Sequence, residues 1–221
     1  MKNWLDKMER RFGRYAIRNL TMYLLAGYAI GYLLSFTMPQ LLTYFTLEPA
    51  LILKGQVWRL LSWVIIPPND NIIFVIFMML LYYSLGNTLE SYWGAFRYNV
   101  YIFSGILFTV IGAFIVNGLI GGVTGFGSLY STYYINMSIF LACASIMPDY
   151  QLLLYGIIPV KMKWLAILDV VLLAVDAVQG GLIIRIVIIA SLLNFIIFFF
   201  CNRNLRGHSP VSYTHLTLPT T

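Results

Sequence analysis

Chemistry inside an apolar chain has to come from its few polar side chains, and here they can be counted. Asp169, Asp176, Arg185, Asn136 and Asn194 stand within long apolar stretches, together with Ser131, Ser138 and Ser145. A serine hydroxyl is a poor nucleophile near neutral pH unless a neighbouring base takes its proton. The two histidines, His208 and His215, both follow the last apolar run, so neither reaches a serine inside a membrane. No lysine falls within an apolar run, which removes a serine–lysine pair. Two aspartates share a proton only when their carboxyl groups nearly touch. Asp169 and Asp176, seven residues apart on one helix, are separated by about 10 Å along its axis. Cys143 and Cys201 lie in apolar runs and read as packing residues. There is no Cys-x-x-Cys, His-Glu-x-x-His or Walker-type glycine loop, so neither a metal nor a cofactor is expected.

The elements that must position these groups are membrane helices. Of 221 residues, 60% are hydrophobic and 10% charged, against about 25% charged in a soluble domain. The mean hydropathy is +0.82. This composition excludes an ordinary soluble enzyme, a disordered chain and a nucleic-acid-binding module, and it makes the lipid bilayer the principal partner. A membrane span needs about 20 mostly apolar residues. By that measure the sequence predicts an all-α integral membrane protein with six transmembrane helices, near residues 20–38, 71–89, 98–116, 129–147, 164–178 and 182–201. Met38-Pro39 closes the first, because proline blocks helix continuation. Residues 39–70 form a long first loop whose Trp58, Arg59 and Trp63 suit the membrane interface, with both tryptophans expected among the headgroups.

Six spans place both termini on one side. With that side cytoplasmic, the inner segments hold eleven Lys and Arg residues and the outer loops hold Lys54 and Arg59, which agrees with the positive-inside rule. The chain therefore divides into a basic cytoplasmic segment over 1–18, a six-helix membrane domain over 19–206, and a tail. Residues 209–221 resemble translated sequencing-adapter DNA and are read as non-native, which leaves any genuine C-terminal continuation outside this sequence. The expected location is multi-pass, in the cytoplasmic membrane.

Trp58-Arg59 lies in the first loop, and the second span ends in Gly86-Asn-Thr-Leu-Glu90 followed by Trp93-Gly94 and Arg97. This combination resembles the rhomboid family of intramembrane proteins over about residues 20–205. That family has a Trp-Arg pair in its first loop and a Gly-x3-Glu with a later Gly and Arg at the end of span two. The resemblance implies a rhomboid-like bundle in which Arg59 shapes the first loop and Glu90 ties span two to its neighbours. It implies chemistry only where the family's catalytic residues recur, and they do not. The family's Gly-x-Ser-Gly before span four is absent; Gly125-Phe-Gly127-Ser128 has another order. The histidine base of span six is missing, and the oxyanion positions of span two fall near Phe74 and Met78, which cannot donate.

The resemblance therefore implies a catalytically inactive pseudoprotease that binds transmembrane helices of client proteins. The alternatives are a small transporter or channel subunit, suggested by Asp169 near mid-membrane, an active serine protease with an atypical site, and a purely structural protein. No inverted repeat supports transport. The charges of spans five and six should lie at similar depth in an antiparallel hairpin. The sequence predicts an Arg185–Asp176 pair there, with Asp169 facing the bundle interior and bonded to another helix.

Overall fold

The computed structural model describes residues 4–67, 72–154 and 158–201. The tail at 209–221 and the Pro68-Asn69-Asp70 turn lie outside them. Helix α1 (Trp4–Phe12) precedes α2 (Leu20–Thr37), which stops before Pro39. Pro39 then opens α3 (Pro39–Phe45), where its missing N–H costs nothing at a first helical position. The first loop continues through α4 (Pro49–Ile52), α5 (Arg59–Ser62) and a 3-10 turn at Trp63–Ile65.

Helices α6 (Ile72–Trp93) and α7 (Ala95–Leu119) meet at Gly94, whose φ of +85° lets the chain reverse on one residue. Helix α6 thus continues through Glu90, past the end at 89 that the sequence reading gives the second span. Beyond a 3-10 turn at Gly127–Leu129 come α8 (Tyr133–Ile146), α9 (Met162–Gln179) and α10 (Leu182–Cys201). Between α8 and α9 the chain lies outside the expected spans, which end at 147 and resume at 164. It forms an antiparallel hairpin, β1 (Gln151–Leu154) on β2 (Ile158–Lys161), with Gln151 opposite Lys161.

Among the described residues, four helices are long and apolar enough to cross a membrane: α2, α6, α7 and α10. The segments expected as spans four and five differ for two reasons. Helix α8 has 14 residues, about 21 Å of rise against a hydrocarbon core of about 30 Å. Helix α9 carries Lys163, Asp169 and Asp176.

Helix α8 is the hub, buried over most of Ile135–Ala144 and packed against α6, α9 and α10. Helix α7 packs most extensively on α10. Gly105 lets Asn194 approach the α7 backbone, and Gly112 receives Ala190 and Ile186. Helices α6 and α9 both flank α8, with little contact between themselves.

Candidate functional site

The first loop is held by buried polar groups. Arg59 is 3% exposed. Its Nε donates to Gln56 Oε1 at 2.7 Å, and its Nη1 donates to the carbonyls of Thr43 at 2.8 Å and Thr46 at 2.9 Å. Trp58 is 51% exposed and donates its indole N–H to the Tyr44 carbonyl. Trp63, expected among headgroups with Trp58, is instead 1% exposed in the protein core and donates to the Leu60 carbonyl. The cause is Gly31 on α2. A Cβ there would collide with the Ile65 carbonyl, so the glycine admits the turn that carries Trp63.

Glu48 closes this loop onto the one before α8. Its Oε1 accepts the Gly125 amide at 2.9 Å and the Gly127 amide at 2.8 Å. The Gly125-Phe-Gly127 string thus cradles a carboxylate.

Gly86, Glu90, Gly94 and Arg97 form a second junction. Gly86 sits against the Thr21–Tyr98 hydroxyl pair, which a Cβ would strike. Glu90 Oε1 accepts the Asn19 amide at 2.8 Å, at the entry to α2. Asn19 adopts a left-handed conformation, φ 55°, which asparagine tolerates better than most residues. Arg97 reaches back to α1, with Nη2 on Asp6 Oδ1 at 2.8 Å and Nε on Glu9 Oε2 at 2.9 Å.

Among the described residues, Ser131, Ser138 and Ser145 pair with backbone groups and with no base. Ser138 and Ser145 donate to carbonyls of their own helix, Ile135 and Ala142, and the Ser131 hydroxyl accepts the Tyr133 amide. Asp169 is 5% exposed, and neither carboxylate oxygen has a hydrogen-bond partner among the described residues. It lies within electrostatic reach of Tyr82 on α6 and Tyr133 on α8. The expected Arg185–Asp176 pair does not form. Arg185 donates to the Ala177 carbonyl at 2.8 Å and the Val178 carbonyl at 3.3 Å. The last helical carbonyls of α9 lack intrahelical donors, so a guanidinium at that end is satisfied there.

Sequence reasoning missed the partners more than the sites. Glu48, Asp6 and Glu9 were visible as charges, but nothing local to them names a partner 77 to 91 residues away.

Helices apolar on every face, linked by buried polar junctions, define a polytopic α-helical membrane protein. The chain belongs to the family described as eukaryotic integral membrane protein (DUF1751), whose model matches residues 18–208. No curated protein and no solved structure matches it.

Proposed function

We propose that the chain is a rhomboid-like, six-span membrane scaffold without protease chemistry, which holds membrane-spanning segments of client proteins. The observation that carries this reading is Asp169, a buried carboxylate with no donor among the described residues, on a helix that flanks α8 with little contact to α6. An ionised group at mid-membrane costs about 2.5–3.5 kcal/mol on insertion scales. A client helix that enters between α6 and α9 and offers a hydroxyl, amide or basic side chain supplies the missing donor.

Two further features support the reading. The Trp58-Arg59 and Gly86/Glu90/Gly94/Arg97 matches favour the rhomboid-like scaffold. The serine hydroxyls, engaged within α8 and at its start, favour a protein that does not cleave. In this arrangement α8 is the short central span, and α9 crosses because Asp169 faces inward. The basic terminus lies on the cytoplasmic side.

Photo-cross-linkers at two exposed positions, Leu168 next to Asp169 on α9 and Tyr83 on α6, test the reading against Ile111 on α7. The expected result is client adducts from the first two positions, reduced by Asp169→Asn. Equal adducts from Ile111 overturn it, as does covalent labelling of Ser131 or Ser138 by a fluorophosphonate in folded but not heat-denatured protein. The same buried carboxylate also favours a transporter or channel subunit. Proteoliposome ion flux that Asp169→Asn abolishes would select that second reading.

A further inference from the structure

Helix α1 and the strand of chain after it lie against the first half of α7, and between them runs an open groove of about 360 Å3. That falls within the range of about 300–1,000 Å3 typical of small-molecule sites. Phe12, Tyr15 and Ala16 form one wall; Phe96, Val100, Phe103 and Leu107 line the α7 side. These α7 residues recur at three- and four-residue steps, so they share one face. From Phe96 to Leu107 the groove descends about 16 Å along the helix. An apolar channel that starts at a helix end and runs this far toward mid-membrane has the shape of an acyl chain.

Two cations rest on the aromatic residues of this wall. Arg11 stacks on the Phe12 ring at 5.5 Å, and Arg14 on the Tyr15 ring at 4.7 Å, so both guanidiniums are fixed to the aromatic wall. Arg14 also donates to the Tyr15 hydroxyl at 2.7 Å. The acidic residues of α1, Asp6 and Glu9, are engaged by Arg97. Lys7, Arg10, Arg11, Arg14 and Arg18 are exposed and take part in none of the ion pairs among the described residues.

Asn99, 6% exposed, also lines the groove, and its Oδ1 has no hydrogen-bond partner among the described residues. A buried amide without a partner is costly. Turned about its last bond, it offers either an acceptor to a headgroup donor or an N–H to an ester carbonyl.

We propose that this groove holds one anionic phospholipid of the surrounding bilayer. Its phosphate lies between Arg11 and Arg14, its glycerol region meets Asn99, and one acyl chain lies along Phe96, Val100, Phe103 and Leu107. Arginine suits this role because its planar fork matches phosphate oxygens. The lipid in turn fixes α1 on the bilayer surface, with Met8 and Phe12 facing the headgroup region.

The test uses the purified full chain in nanodiscs, with a phosphatidylserine carrying a diazirine in its acyl chain and the matched phosphatidylcholine. The expected adducts map to Phe96–Leu107 and are stronger for phosphatidylserine. R11Q/R14Q should weaken retention of phosphatidylserine about fivefold per charge, about thirtyfold for both, and leave phosphatidylcholine unchanged. K7Q/R10Q removes the same charge from α1 without touching the aromatic wall, and should have a much smaller effect. Adducts spread evenly over other helices overturn the proposal. So do equal losses in the two double variants, equal retention of both lipids, or a co-purifying protein cross-linked in the groove in place of lipid. Protein that melts at the wild-type temperature in detergent certifies each variant as folded before it is scored.

Discussion

The Glu48 carboxylate accepts the Gly127 amide at 2.8 Å across 79 residues of sequence. This bond, with its partner from Gly125, fastens the loop before α2's neighbour α6 to the loop before α8. Hydrogen bonds to a charged group contribute about 1.5–3 kcal/mol each. Glu48→Leu should therefore lower the detergent melting temperature clearly, and Glu48→Gln by less, since its carbonyl still accepts. Gly127→Ala should also destabilise, by about 1–3 kcal/mol, because the new Cβ would lie 2.8 Å from Thr46 Cβ and 2.9 Å from Glu48 Cγ. Wild-type melting in all three variants would remove the clamp from this account.

Arg59 and Lys54 belong to the same loop and should respond very differently. Arg59 is buried with carbonyls of Thr43 and Thr46 as acceptors, whereas Lys54 is exposed. Arg59→Ala leaves those acceptors unpaired and should cost about 3 kcal/mol. Lys54→Ala should stay within about 0.5 kcal/mol. Thermal melts in detergent compare the two, and equal shifts would reduce Arg59 to a headgroup contact.

Arg97 should govern whether α1 stays docked. Its side chain is mostly buried, while Asp6 and Glu9 are each over a third exposed, so screening limits the strength of the pair. Arg97→Gln should raise the rate of tryptic cleavage at Arg10, Arg11 and Arg14, and high salt should do the same to the wild type. Unchanged cleavage in the variant would mean that Leu5, buried in the core, holds the helix alone.

Asp149 provides a pH test outside the membrane helices. The hydrogen bond and charge of Lys163, with help from Lys161, hold its carboxyl below the ordinary value of 3.8. The folded state thus favours the ionised form. The stabilisation is present above pH 3.8 and disappears as the pH falls through and below that value. Amide exchange at the start of α9 should be constant from neutral pH to about 4, after the intrinsic pH dependence is removed, and should accelerate below it. Asp149→Asn should abolish that acceleration; a variant that keeps it places the titrating group elsewhere.

What the sequence alone determined is the membrane class and the helical segments, because hydrocarbon leaves a backbone few choices other than helix. Pro39 and Gly94 mark breaks for the same local reasons that the structure displays. The exceptions were the segment at 151–161, whose short apolar runs paired as strands, and the short helices α1, α3, α4 and α5, which fall outside the apolar spans. Partner choice was decided by tertiary structure. A soluble helix betrays its buried face by its apolar stripe, but α7 is apolar all round: Tyr101 and Ile102 are core, and the equally apolar Phe103 and Leu107 are exposed. Without that stripe, sequence spacing cannot say that Trp63 turns into the protein while Trp58 turns out. It placed Arg185 near Asp176 in depth, yet the orphan carbonyls at the end of α9 won the guanidinium. Charge labels which residues need a partner, and only the packed helices bring one within 3 Å.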